Sequence, residues 1–364
     1  MKQVEISWHC EFIAALVSEY PEGIGISVLE QAFARRCGNV SRRTLQRRLE
    51  RLIQDGRITA EGQNVARVYK SRVTARRHRV EEPGANYDDE IIHVPVSWEG
   101  EEIRAQIRKP LLHRCQVGYE QKFLENYEPG VSRYLSEPVL ARLHEIGRTP
   151  ETGSKIAGAH ARGILGRLRT DLSWASSRLE GCTYTQLEAK SLILSGKPAP
   201  GRHMLETRMI LNHGAAVAML LENADKTGLD VFTFRSLHAI LSSGANSTEV
   251  PGTVFSPAVM PQFVESRFFL FLEKVVAITD PFEQALFTLA QLPYLQPFPD
   301  ANKTVSRLAM NIPLFKCNFY PLLFVNVPGL AYTEGMLGIY ELGRIELLRD
   351  IFVWAYEQSC LYNR

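Results

Sequence analysis

The sequence has few cysteines and no cysteine motif. Its six cysteines are scattered through 364 residues, and no Cys-x-x-Cys pair occurs. A disulfide framework or a structural zinc site is therefore not expected. Histidine and cysteine residues at metal-ligand spacing are also lacking.

Long apolar runs are also absent. The longest uncharged stretch, residues 317–333, contains Pro321 and Pro328, and it is shorter than the ~20 apolar residues of a membrane-spanning helix. The N-terminal stretch 1–23 carries acids within its apolar part, which is not typical of a secretory signal. We therefore expect a cytoplasmic, reduced protein that does not cross a membrane.

Positive charge is concentrated near the N-terminus. Residues 35–79 contain fourteen Lys or Arg and three acids. This gives +11 and leaves −9 for the rest of a chain whose formal net charge is +2. Such asymmetry indicates a basic segment with an anionic partner, attached to a mildly acidic body. The length suggests two or three domains.

Residues 1–72 are predicted to form a winged helix-turn-helix domain. Three helical patterns, in 9–19, 26–36 and 41–54, precede a stretch, 57–70, that alternates as a β-hairpin does. The third pattern is rich in arginine, as a recognition helix in the DNA major groove would be. A solvated helix face, or a winged helix that binds protein, is the alternative. The arginines expected to contact DNA are Arg42, Arg43, Arg47, Arg48 and Arg51.

Residues 73–109 are interpreted as a linker followed by covering strands, with a strand pair across Glu99-Gly100. Residues 110–364 are expected to form a helical domain, so the fold class is mainly α, with an α+β domain at the N-terminus. Helical patterns occupy 137–146, 157–180, 183–195, 203–224, 232–242, 261–278, 281–295, 302–316 and 334–360.

The stretch 296–307 reads QPFPDANKTVSR and precedes a predicted helix, 304–315. The N-terminus of that helix would expose unpaired N–H groups, so the loop before it could hold an anion. Asp300 could hold a divalent cation, and Arg307 could reach a terminal phosphate. On this stretch alone, an ordinary helix cap at Asp300 or Asn302 is the better interpretation.

A second stretch, SWASSRLEG at 173–181, changes this balance. Together the two stretches resemble the Fic (Fido) family, whose members mostly transfer AMP from ATP to hydroxyl side chains. The family motif His-x-Phe-x-(Asp/Glu)-(Gly/Ala)-Asn-(Gly/Lys)-Arg-x-x-Arg aligns with 296–307. The inhibitory motif (Ser/Thr)-x-x-x-Glu-(Gly/Asn) aligns with 176–181. The resemblance covers about residues 110–362 and implies an all-helical core with a small β-hairpin flap.

The resemblance implies that the chain binds ATP and Mg²⁺. Asp300 would hold Mg²⁺, Asn302 would help fix the nucleotide, and Arg307 would take the terminal phosphate. These three side chains, with Gln296 at the position of the catalytic histidine, are the expected catalytic set. The nucleotide-binding residues would be Phe298, Asp300, Ala301, Asn302, Lys303 and Arg307.

The resemblance also implies a built-in inhibitor. Glu180, late in a helix of about 160–181, would pair with Arg307 and exclude the terminal phosphate. Ser176 would tie that helix in place, and Gly181 completes the motif. The segment 242–258 falls at the family's flap, which would hold a target protein; its alternative is a simple loop. The resemblance further implies that the protein forms a homodimer.

Two substitutions depart from the family pattern. Gln296 cannot act as a general base, which typically reduces the rate ~10²–10⁴-fold, and Thr304 replaces the first arginine. Ala301 disfavours positive φ, so a slightly different phosphate cradle is expected. We therefore predict a nucleotide-binding Fic-fold protein with impaired AMP transfer that acts as a DNA-binding regulator. The alternatives are an autoinhibited protein adenylyltransferase that tolerates Gln296, and a protein–protein scaffold.

Overall fold

The computed structural model describes most of the chain in two compact units, residues 1–90 and 91–364. No helix in the described residues is long and apolar enough to cross a membrane. The described residues are 13, 16, 17, 20, 23–37, 41–54, 57–62, 67–71, 92–110, 114, 120–154, 158–243 and 261–363.

The N-terminal unit combines helices with one small antiparallel sheet. The strand Val68–Ser71 lies between the other two strands of the sheet. It pairs antiparallel with Ile58–Glu61, from Ile58↔Ser71 to Glu61↔Val68, which confirms an antiparallel pair where the hairpin is predicted. Among its described residues, eleven buried apolar side chains form the core. The winged helix-turn-helix assignment itself stays a prediction. The elements are β1 (Ile24–Gly25), α1 (Ile26–Cys37), α2 (Arg42–Gln54), β2 (Ile58–Glu61) and β3 (Val68–Ser71).

Helix α2 has one buried face and one basic face. Leu45, Leu49 and Leu52 are fully buried, at the i, i+4, i+7 spacing that predicts an amphipathic helix. Arg48 shares this face and is only 8% exposed, so the structure does not support it as a DNA contact. The predicted arginines that face solvent are Arg42, Arg43, Arg47 and Arg51.

The second unit is mainly helical in its described residues. Together with the small N-terminal sheet, this confirms the predicted fold class. Residues 244–260, which include most of the predicted flap, lie outside the described residues. The helices are α3 (Trp98–Ile107), α4 (Lys122–Glu125), α5 (Glu137–Ile146), α6 (Ala159–Gly163), α7 (Leu165–Arg178), α8 (Gln186–Ser195), α9 (Met204–Glu222), α10 (Val231–Leu241), α11 (Pro261–Ala277), α12 (Pro281–Leu295), α13 (Asn302–Ala309), α14 (Asn311–Lys316), α15 (Gly329–Leu342) and α16 (Glu346–Asn363).

The predicted strand pair across Glu99-Gly100 is wrong, because these residues form the first turn of α3. The Ser97 hydroxyl oxygen accepts from the Gly100 N–H at 3.2 Å and so caps the helix. The Ser97 N–H donates to Asp350 in α16. A Cβ at Gly100 would lie 2.7 Å from that carboxylate, so this glycine permits a close approach rather than a turn.

Two predicted helices are each divided in two. The pattern 302–316 forms α13 and α14, which meet at Met310. Pro313 causes this break because it has no N–H to donate one turn back. The predicted inhibitory helix, about 160–181, forms α6 and α7 and ends at Arg178.

Helix α12 lies at the centre of the second unit. Every side chain from Ala285 to Leu295 is buried, as expected for a helix that is apolar on all sides. Its residues pack into two hydrophobic clusters. The helix ends at Gln296, so the predicted loop begins where this buried core reaches the surface.

Candidate functional site

The loop between α12 and α13 contains two residues in left-handed backbone conformation. Gln296 has φ 50° and ψ 58°, and Ala301 has φ 52° and ψ 11°. This conformation costs roughly 1–2 kcal/mol for a residue with a Cβ. Ala301 therefore adopts positive φ although its Cβ disfavours that conformation, and the expected difference in the phosphate cradle stays a prediction. Strained backbone of this kind is frequent at functional sites.

The side-chain amide of Asn302 holds this loop through two hydrogen bonds. Its Oδ1 accepts from the Phe298 N–H at 3.0 Å, and its Nδ2 donates to the Phe298 carbonyl at 2.7 Å. The Phe298 side chain is 1% exposed and stacks on His238, with ring centroids 4.4 Å apart. Asn302 therefore shapes the loop, and Phe298 anchors it in the core.

Asp300 is held by two residues of the segment that leads toward 244–260. Its Oδ1 lies 2.8 Å from His238 Nε2 and accepts from the Ser242 hydroxyl at 2.9 Å. Its second oxygen has no hydrogen-bond partner among the described residues. Asp300 thus has a fixed orientation and one carboxylate oxygen that could bind a cation.

Arg307 is fully buried in α13, with 0% exposure. Its Nε donates to the Ser176 hydroxyl at 2.9 Å, and its NH1 donates to the Tyr332 hydroxyl at 3.3 Å. Its NH2 donates to the Ser176 carbonyl at 3.1 Å and to Thr304 Oγ1 at 3.2 Å. Each nitrogen of the guanidinium therefore has a partner inside the protein.

Glu180 forms the expected ion pair with Arg307. Its Oε1 lies 2.7 Å from Arg307 NH2, and its Oε2 lies 3.5 Å from Lys303 Nζ. Burial disfavours the charged carboxylate, but Arg307 and Lys303 outweigh this effect and lower the pKa of Glu180. The carboxylate therefore stays ionised where a phosphate oxygen would also be attracted.

Gly181 fixes the position of Glu180 after α7. It has φ 88°, and its N–H donates to the Arg178 carbonyl at 3.0 Å. The Cys182 N–H donates to the Ser177 carbonyl at 3.1 Å, which completes a Schellman cap. The glycine of the inhibitory motif thus ends the helix so that the carboxylate reaches α13.

A cavity of about 230 Å³ lies at this loop. It is smaller than the roughly 300–1,000 Å³ of typical small-molecule sites, and Glu180 forms part of its wall. No group of three or more metal-ligating side chains occurs in the described parts of the chain. The lining residues are Glu180, Pro293, Gln296, Pro299, Asp300, Ala301, Asn302, Lys303, Thr304 and Tyr340.

Residues 228–314 match the model of the Fic/DOC family. This match assigns the segment 228–314 to a Fic/DOC family domain. Two structures of Fic-1 from C. elegans (amino acids 134–508 of that protein, in one case with a glutamate-to-glycine substitution) resemble the chain with a TM-score of 0.51, at 20% and 19% identity. Each match covers 62% of this chain and 70% of the solved Fic-1 chain. A Fic family protein from Desulfovibrio desulfuricans is 18% identical, with a TM-score of 0.49 over 65% of this chain and 76% of its own.

At these identities, the likeness to Fic-1 shows the fold alone. It agrees with the helical Fic core expected from the motifs. No curated protein sequence matches the chain. The matched segment contains the whole loop from Gln296 to Arg307, whereas Ser176 and Glu180 lie before it.

The structure brings together the two predicted motifs, 176–181 and 296–307. Gln296, Asp300 and Lys303 line the same cavity as Glu180, and Ser176 contacts Arg307 directly. The predicted DNA-contacting arginines lie in the other unit. The roles assigned to all these residues stay predictions.

Three contacting residues were not predicted as part of the site: His213, Tyr332 and His238. They contact Ser176, Arg307 and Asp300, respectively, from helices far away in sequence. Ser242, which also contacts Asp300, is the first residue of the predicted flap. A lone histidine or tyrosine on an apolar helix is usually an ordinary core residue, so the sequence contains no local signal for these contacts.

Proposed function

We propose that the Fic/DOC domain binds a nucleotide through its phosphates and that Glu180 restricts this binding. The observation that carries the proposal is the 2.7 Å contact between Glu180 and the fully buried Arg307. A carboxylate and a phosphate oxygen compete for the same guanidinium. The nucleotide must therefore displace Glu180 to reach Arg307.

The chemistry of the loop suits a polyphosphate. Lys303 supplies one cation beside the cavity, and the first turn of α13 supplies unpaired N–H groups and the positive end of a helix dipole. Asp300, with one oxygen held by His238 and Ser242, would hold Mg²⁺. When bound, Mg²⁺ neutralises phosphate charge. ATP with Mg²⁺ is therefore the proposed ligand.

AMP transfer by this domain should be impaired. Gln296 lines the cavity, but an amide has no useful basicity for deprotonating a target hydroxyl. Thr304 supplies no charge where the family has an arginine. Its hydroxyl instead accepts from Arg307. Target binding at 242–258 and homodimer formation are further proposals that rest on the family resemblance.

Replacing Glu180 by glycine should tighten binding of Mg²⁺–ATP at least tenfold. Glu180→Gln is the matched control, because it keeps the shape of the side chain but weakens the pairing with Arg307; its affinity should lie between wild type and Glu180→Gly. Isothermal titration calorimetry measures all three dissociation constants. Equal constants for the three proteins would contradict the proposed competition.

We also propose that the N-terminal unit binds DNA and that the protein acts as a regulator. The support is the basic face of α2, where four arginines are exposed. Phosphate contacts of this kind are sequence-independent and weaken with salt. A scaffold that binds another protein through this unit is the competing function.

Replacing Arg43, Arg47 and Arg51 by alanine should weaken binding to a mixed-sequence DNA duplex. The plot of log Kd against log salt concentration should become shallower by about 0.9 for each phosphate that the variant no longer neutralises. The charge-matched control replaces three exposed cations of the second unit, Lys122, Arg133 and Arg142. Absence of wild-type binding at low salt would exclude DNA as the partner, and equal weakening in the two variants would exclude the arginine face of α2 as the contact.

An autoinhibited protein adenylyltransferase is the second candidate function for the domain. The intact contact between Glu180 and Arg307 favours it, because an inhibitor is useful only where there is activity to restrain. This candidate predicts AMP transfer by the Glu180→Gly chain even with Gln296 in place.

A further inference from the structure

His213 connects a third helix to the contact between Glu180 and Arg307. It lies in α9, is 2% exposed, and its Nε2 is 3.2 Å from the Ser176 hydroxyl in α7. The same hydroxyl accepts from Arg307 Nε at 2.9 Å. Imidazole, hydroxyl and guanidinium therefore form a continuous chain across α9, α7 and α13.

The hydrogen-bond partners determine where the proton of His213 lies. Its Nδ1 is 2.7 Å from the Met209 carbonyl, which can only accept, so Nδ1 must carry the hydrogen. The Ser177 hydroxyl, 3.3 Å from Nδ1, is a weaker second acceptor. Nε2 is therefore left with a lone pair, and the neutral imidazole accepts a hydrogen bond from Ser176.

This arrangement fixes the direction of the Ser176 hydroxyl. Its hydrogen points to His213, so its oxygen presents a lone pair to Arg307. A protonated His213 would no longer accept this hydrogen bond and would place a second positive charge close to Arg307. Burial, with an added contribution from Arg307, lowers the pKa of His213 to about 4, which keeps the imidazole neutral near pH 7.

We infer that His213 is a positioning residue that strengthens the inhibitory contact: through Ser176 it holds both the Arg307 guanidinium and helix α7 in the orientation that pairs Glu180 with Arg307. The inference rests on the proposed function and deepens it. Ser176 is the intermediate, because it contacts His213 through its side chain and Arg307 through both its hydroxyl and its carbonyl. A nucleotide that displaces Glu180 must then also disturb the hydrogen bond between the Ser176 hydroxyl and His213.

The test compares His213→Leu in two backgrounds. With Glu180 present, this variant should bind Mg²⁺–ATP about two- to tenfold more tightly than wild type, because one neutral hydrogen bond no longer supports the pairing of Glu180 with Arg307. In the Glu180→Gly background, it should change the dissociation constant less than twofold. If His213 only stabilised the fold, or touched the nucleotide, its replacement would change the dissociation constant by the same factor in both backgrounds.

Two further variants act as controls. His213→Gln offers a carbonyl oxygen to Ser176 and should restore the wild-type constant. Ser177→Ala removes a buried hydroxyl next to the same imidazole but leaves the groups around Arg307 in place, and should behave as wild type. Equal effects of His213→Leu in both backgrounds, or tighter binding by His213→Gln, would overturn the inference.

Hydrogen exchange separates this inference from the proposed function. If Glu180→Gly does not bind Mg²⁺–ATP, the proposed function fails, but the amides of 179–181 still report on the inhibitory contact. Their exchange should be faster in His213→Leu than in wild type or His213→Gln. Unchanged exchange in His213→Leu would overturn the role assigned to His213.

Discussion

Replacing Gln296 by histidine in the Glu180→Gly chain should raise the rate of AMP transfer by about 10²–10⁴-fold. This is the usual contribution of a general base in the right place. Gln296 lines the cavity where the target hydroxyl would react, and it is exposed. An imidazole there can take the hydroxyl proton, whereas the amide cannot.

The backbone at this position accepts histidine. Gln296 has φ 50°, and histidine is among the residues enriched at positive φ. The side chain is exposed, so the exchange does not require repacking of the core below α12. The gain should therefore appear in activity rather than in stability.

The measurement is incorporation of label from ATP carrying a labelled α-phosphate, into the protein itself or an added polypeptide. Gln296→Asn in the same background is the matched control, because asparagine also tolerates positive φ but is not basic. If ATP binds to both variants and their rates are equal, Gln296 is not the cause of the impairment.

The parts of the site that lie in short continuous stretches of sequence were predictable. The resemblance of 173–181 and 296–307 to the Fic motifs implied an ion pair between Glu180 and Arg307, which the structure contains at 2.7 Å. The amphipathic face of α2 was predictable from leucine spacing. That spacing reflects helix geometry, which the sequence displays directly.

The errors arose where tertiary contacts override local preference. Gly100 resembles a turn residue, but it lies in a helix beside Asp350. Ala301 disfavours positive φ by itself, yet Asn302 and Phe298 hold the loop in that shape. Arg48 resembles its exposed neighbours in sequence, but its spacing from Leu45 and Leu52 places it on the buried face. No short window of sequence contains the contacts of Gly100 and Ala301, whereas the burial of Arg48 follows from its spacing.

The free energy of unfolding should fall by about 3 kcal/mol as the pH decreases from about 6.5 to about 4, through His213 alone. The pKa of His213 is about 4 in the folded protein and near its ordinary value of 6.5 in the unfolded chain. The unfolded chain therefore binds the proton more readily. The contribution of the neutral imidazole is complete above pH 6.5 and is lost as the pH falls through this window.

A comparison with His213→Gln isolates this contribution, because glutamine does not titrate. The free energies of unfolding of wild type and His213→Gln are measured by urea unfolding at pH 7, 5.5 and 4.5. As the pH falls, the free energy of unfolding of wild type should decrease steadily relative to that of the variant. The carboxylate of Glu180 has a lowered pKa, so its own contribution is lost at lower pH and is common to both proteins. A constant difference across the three conditions would mean that His213 is not buried as a neutral group, and the direction assigned to the Ser176 hydroxyl would then be wrong as well.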